Sequence, residues 1–143
     1  YKRQILRSDI MAHAGNSYTI TLSLSHLKWG EYRNPTNRNI VYGEGYIPIP
    51  KSAAQQFGIF NSNASNTGFG YNRFYVSSKD GFLQNEIMLA QGCTEAGDIY
   101  AKQFSIEGDL KRIGQWYSFR NAKPGDRVEV TWISSTEVEI EIL

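Results

Sequence analysis

Tyr18, Ile20, Leu22 and Leu24 alternate with Thr19, Thr21, Ser23 and Ser25, the two-residue period of a strand with one buried face, which predicts a strand over 18–25. The end of the chain repeats this signal. Val128, Val130 and Trp132 alternate with Arg127, Glu129 and Thr131, and Val138, Ile140 and Ile142 alternate with Glu137, Glu139 and Glu141. Ser134-Ser135 joins these two runs as a hairpin, and Lys123-Pro124-Gly125-Asp126 ahead of them sets Pro and Gly at the middle of a type II turn. Between the two ends, Tyr46, Ile47 and Ile49 predict a short strand that Pro48 confines to an edge. Segments 73–77 and 82–90 read as strands around Ser78-Lys79-Asp80-Gly81, with Asp-Gly as the hairpin signal, and 102–106 reads as another strand.

Helix signals are few. Pro50 sits at a first helical position, Lys51-Ser52-Ala53-Ala54-Gln55-Gln56-Phe57 suits a helix, and Gly58 supplies a left-handed stop. Asp109 caps a helical turn that runs through Ile113 and ends at Gly114. Three stretches lack apolar period: a long polar loop over 27–43, an Asn/Ser/Gly-rich flexible connection over 61–70, and a loop over 91–101. The pattern predicts a mainly β fold, a seven-stranded partly open pseudobarrel closed at each end by one of two short helices. One domain is expected over 1–143, with 1–17 unassigned.

Composition changes this picture little. Hydrophobic residues at 41% and charged residues at 20% are ordinary globular values and exclude a disordered chain. No apolar run reaches the ~18 residues of a membrane span, and Tyr1-Lys2-Arg3-Gln4 does not read as a signal peptide. The single Cys93 allows no internal disulfide and favours a reducing, cytoplasmic setting. Charge matters more. Residues 1–57 hold seven basic against three acidic side chains, a net +4, and the remainder holds eight against eleven, a net −3. Such asymmetry is what a binding face for a polyanion would need.

Catalytic constellations are missing from the pattern. Glu137, Glu139 and Glu141 share one strand face, as a solvated edge does, and Asp80 and Glu86 lack the closely following Lys of a metal-dependent nuclease. His13 and His26 are too few and too separate for a metal site or a triad, and Cys93 has no neighbouring His. Gly68-Phe69-Gly70 lacks the strand-to-helix setting of a phosphate loop. Trp116, Trp132 and Phe119 read as core. No catalytic residue, metal or cofactor is expected.

Two blocks carry a family resemblance. Gly45-Tyr46-Ile47-Pro48-Ile49-Pro50-Lys51 through Phe57 is similar to the strand-then-helix segment of the B3 DNA-binding fold, and Gly114-Gln115-Trp116-Tyr117-Ser118-Phe119 through Lys123-Pro124-Gly125-Asp126 resembles the segment before its closing hairpin. Plant transcription factors and bacterial restriction endonucleases use this fold. The extended Gly-Tyr-Ile-Pro-Ile-Pro segment and the long loop before it look more like the restriction enzymes, although Lys2 to Asp9 echoes the plant opening. The insert over 61–70 and the segment 1–17 depart from the pattern.

The resemblance implies sequence-specific binding of double-stranded DNA by two arms in the major groove, over 26–43 and 91–102. It also implies a nuclease domain elsewhere in the same bacterial polypeptide. In the first arm, Arg33, Asn34, Asn37, Arg38 and Asn39 suit base edges, since Arg pairs with guanine and Asn with adenine in bidentate fashion, and Lys28 and Trp29 flank them. The second arm offers Gln91, Thr94, Lys102 and Gln103, with Glu95 and Asp98 as acids that repel phosphate unless one accepts from a cytosine amino group. Lys51, Ser52 and Gln55 at a helix start suit the backbone. The alternative is a carbohydrate- or protein-binding β domain, which also presents Trp, Tyr and Asn in loops.

Overall fold

The closing hairpin forms as its alternation demands. In the computed structural model, which describes residues 11–28, 43–93 and 95–143, β6 (Arg127–Trp132) pairs antiparallel with β7 (Glu137–Ile142) in the register Val130 opposite Ile140. Val128, Val130, Trp132, Val138, Ile140 and Ile142 are all buried, whereas Glu139 and Glu141 flank Lys79 at 3.9 and 3.5 Å. Gly125 takes the positive φ of 97° that the type II turn requires.

Among the described residues, seven strands make one mixed sheet that does not close. They are β1 (Ser17–Thr21), β2 (Ile47–Pro48), β3 (Arg73–Ser78), β4 (Glu86–Gln91), β5 (Gln103–Ile106), β6 and β7, ordered β1-β6-β7-β3-β4-β5-β2. Every neighbouring pair is antiparallel except β3 with β7, which runs parallel. Strand β2 lies at one edge, where the missing N–H of Pro48 costs no ladder bond.

Among the described residues three short helices, where two were expected, accompany the sheet: α1 (Leu24–Leu27), α2 (Lys51–Phe57) and α3 (Arg112–Phe119). The first strand is therefore shorter than its alternation suggested. It ends at Thr21 because Leu22 bonds instead to the turn before β6, donating to the Asp126 carbonyl at 2.7 Å and accepting from Gly125 at 2.9 Å. Ser23 then starts α1, its N–H capped by His26 Nδ1 at 3.0 Å, and Leu24 points outward at 43% exposure.

Helix α3 corrects a second expectation. Asp109 Oδ1 does accept the Lys111 N–H at 3.1 Å, but the helix runs on through Gly114. That glycine marks a close approach and not a stop, because a Cβ there would collide with the carbonyl oxygen of Gly43. The Asp80-Gly81 turn is also wider than a tight hairpin, with β4 beginning only at Glu86. Residues 61–70 are tied down rather than loosely connected, since Asn61 and Asn72 are both buried and hydrogen-bonded.

Trp132 anchors the core. Its ring lies 6.3 Å from Tyr18, 5.6 Å from Phe57, 5.7 Å from Phe74 and 6.4 Å from Phe104, linking β1, α2, β3 and β5. Its indole N–H finds no acceptor among the described residues, a polar cost that the burial of so large a ring outweighs.

Candidate nucleic-acid interface

Strands β4 and β5 bring several predicted residues to one end of the sheet. Gln91 closes β4 opposite Gln103 in β5, and the exposed Lys102 donates its N–H to the Gln91 carbonyl at 2.9 Å. The carbonyl of Lys102 in turn accepts from Ile49, so the start of α2 is held beside this loop. Lys51, the first residue of α2, reaches Asp98 Oδ2 at 3.6 Å. Ser52 is exposed and Gln55 half-buried. Lys51, Gln91, Lys102 and Gln103 are thus neighbours, and Ser52 and Gln55 stand on the adjoining helix.

Asp98 has a different role from the one its charge suggested. Its side chain is only 8% exposed, turned inward to accept the Tyr100 N–H at 3.0 Å and to meet Lys51. It therefore offsets the Lys51 charge instead of standing in the open loop.

The first arm lies mostly outside the described residues, which exclude Trp29, Arg33, Asn34, Asn37, Arg38 and Asn39, as well as Thr94 of the second arm. Its flanks are clear. Lys28 is exposed at the end of α1, and Gly43 leads back through Gly45 to β2. Gly45 packs on Gly114, where an added Cβ would lie 3.0 Å from the helix backbone, and Tyr117 donates to the Tyr46 carbonyl at 2.7 Å. Burial, reinforced by Tyr46, raises the Tyr117 hydroxyl well above its ordinary pKa, which keeps it a neutral donor. Tyr18 likewise donates to Pro48 at 3.0 Å across the open edges β1 and β2.

Strand directions separate the two arms. β1 and β5 run one way and β2 and β4 the other, so β1 ends and β2 begins at the end of the sheet that carries α3, and the β4–β5 loop leaves the end that carries α2. Lys28 is accordingly not part of the Lys51, Gln91, Lys102 and Gln103 group.

Phe119 departs from its reading as core. The inward stripe of α3 is Ile113, Trp116 and Tyr117, which leaves Phe119 54% exposed, its ring 4.8 Å from Phe82, over which Arg112 sits at 4.4 Å. An open groove of about 520 Å³ runs beside it, lined by Gly43, Lys111, Gln115 and Ser118 among others. Among the described residues, Lys28, Lys102, Lys111 and Arg127 form no ion pair, whereas Arg73, Lys79, Arg112, Arg120 and Lys123 do. Sequence reading missed Lys111 and Arg127, which carry no motif, and Asn61, whose burial only the fold reveals.

Among the described residues, no group of three or more His, Cys, Asp or Glu is placed to hold a metal ion. In the same residues, no helix is long and apolar enough to cross a membrane.

No protein-family model and no curated protein sequence matches the chain. Among solved structures, the N-terminal domain of Helicobacter pylori LlaJI.R1 is similar in fold, with 13% sequence identity and a TM-score of 0.51 over 90% of this chain and 87% of that one. At this identity the likeness is one of fold.

Proposed function

We propose that this chain reads double-stranded DNA sequence-specifically as a B3-like target-recognition domain of a bacterial restriction endonuclease, with two loop arms entering the major groove. The observation that carries this reading is the likeness to LlaJI.R1, whose designation is that of a restriction-system component and whose N-terminal domain matches along nearly the whole chain. The basic segment 1–57 and the donors gathered at the β4–β5 end support it. Arg33, Asn34, Asn37, Arg38 and Asn39 are the proposed base readers of the first arm, with Gln91, Thr94 and Gln103 in the second. Lys28, Lys51, Ser52 and Lys102 are proposed for phosphates.

The chain is proposed to be a reader and not a nuclease, cleavage belonging to another domain of the same cytoplasmic polypeptide. Selection from random duplexes tests the reading: an enriched motif bound with a steep salt dependence is expected, because phosphate contacts release counterions. A carbohydrate- or protein-binding role is the second reading, favoured by the exposed stack of Phe69 on Tyr75 at 4.6 Å. Binding that ignores salt and enriches no duplex would support it instead.

A further inference from the structure

The Asn-rich stretch 61–70 has no part in the reading above, yet its first residue is 3% exposed and fully engaged. The two N–H groups of Asn61 Nδ2 serve three carbonyls, one N–H shared between two acceptors: Gly92 at 3.1 Å, Asp98 at 2.9 Å and Tyr100 at 3.2 Å. Its Oδ1 accepts the Asn63 N–H at 2.8 Å, and Asn63 Nδ2 also reaches the Asp98 carbonyl at 3.3 Å. Gly92 is where the chain leaves β4, and Tyr100 is where it returns toward β5. One amide therefore fastens both ends of the β4–β5 loop to a third segment of chain.

The surrounding contacts repeat that function. Asn61 N–H donates to Ile99 at 2.8 Å, Ala101 N–H donates to Ile59 at 3.1 Å, and Phe60 stacks on Tyr100 at 5.5 Å. An apolar side chain at 61 would fill the same space but remove the side-chain donor from the Gly92 and Tyr100 carbonyls, so the position needs an amide. A loop that must meet bases in fixed geometry gains from being held before it binds.

We propose that Asn61 is the positioning residue of the β4–β5 arm, and that the insert it opens is the buttress that fixes how this arm leaves the sheet. What the arm recognises rests on the DNA reading above; how it is held does not.

Asn61→Asp keeps the size of the side chain, removes both donors and turns a carboxylate on three carbonyls. Asn63→Ala removes only the outer bond. In the full chain, amide exchange at Tyr100 and Ala101 should quicken by about tenfold or more in Asn61→Asp, and by less in Asn63→Ala, with the β6–β7 ladder unchanged. The ratio of cognate to scrambled duplex affinity should fall by about tenfold in Asn61→Asp while scrambled binding persists. Unchanged exchange at Tyr100 and Ala101, or an equal rise in the β6–β7 ladder, overturns the proposal. If Asn61→Asp does not fold, Asn63→Ala decides by the same two readouts. Faster loop exchange with an unaltered affinity ratio means the arm is held by Asn61 but reads nothing, which overturns its role in recognition. A wild-type chain that prefers no duplex removes the DNA reading alone, and the exchange result still decides the buttress.

Discussion

Trp116 donates its indole N–H to Asp80 Oδ2 at 2.8 Å, so the Asp80 carboxylate ties the β3–β4 turn to helix α3. Asp80 also accepts from Ser78 Oγ at 2.6 Å and from the Phe82 N–H at 2.9 Å, with Arg120 at 3.7 Å. Burial by itself pushes this carboxyl up, but the three hydrogen bonds and the Arg120 charge outweigh it and hold the pKa below the ordinary value of 3.8.

Asp80→Asn should therefore destabilise the fold by about 1–3 kcal/mol, the usual loss for hydrogen bonds to a charged acceptor. A depressed pKa stabilises above the unfolded value and is lost as pH falls through the folded one, so the wild type should lose stability under acid that Asp80→Asn does not lose. Urea unfolding at neutral pH and near pH ~3 measures both effects. Identical acid dependence in the two proteins would refute the assignment.

His26 gives a second pH dependence. Its Nδ1 accepts the Ser23 N–H at 3.0 Å and must carry no proton there, and its ring meets Tyr46 edge-on at 5.6 Å. Burial lowers its pKa from 6.5. Between the folded and unfolded values the unfolded chain binds more protons, so this contribution is complete above the unfolded value and declines as pH falls through the window. Following the Ser23 amide and the His26 ring by NMR should give one shared titration below 6.5, which His26→Gln abolishes in the amide. A Ser23 amide indifferent to pH would rule the cap out.

Gly114 tests the packing of the first arm's root. In an open helix Gly→Ala gains about 1 kcal/mol of propensity. Here the added methyl would meet the carbonyl of Gly43, backbone that cannot rotate away, and overpacking of that kind costs about 1–3 kcal/mol. Gly114→Ala is thus expected to lower the urea midpoint, with Ser118→Ala on the exposed side of α3 as the control. A raised midpoint would mean that the helix and the segment at Gly43 separate easily.

These residues also mark how far the fold was legible in sequence. Period-two alternation identified β6 and β7 because one sheet face is fully buried, and Pro48 identified an edge because it has no N–H to donate to a ladder. The same alternation overran at Leu22, whose partners lie in a turn more than 100 residues away. Gly114 read as a helix stop because sequence cannot distinguish a left-handed glycine from one that admits another backbone. The parallel pairing of β3 with β7 has no local signature, since register between distant strands depends on packing. At the candidate site, residue types were legible for Lys51, Gln91, Lys102 and Gln103, but the carboxylate held against Lys51 was not.

That carboxylate sets the last prediction. Lys51 is 3.6 Å from Asp98 in the free protein, so a phosphate at the start of α2 would replace one anion with another instead of pairing a solvated ammonium. Lys51→Ala should then weaken cognate and scrambled duplexes alike and lower the salt slope by about one, but cost less than the loss of a cation without an acidic neighbour. Asp98→Asn should do the reverse. Its amide oxygen can still accept the Tyr100 N–H, which Asp98 Oδ1 accepts at 3.0 Å, so the loop keeps its local turn while Lys51 is freed. Affinity for both duplexes should rise by several-fold, with the ratio between them unchanged, because phosphate contacts position a protein without specifying sequence. Titrations of both variants at two salt concentrations measure this. If Asp98→Asn changes the ratio and not the common affinity, Asp98 acts on the bases and not through Lys51.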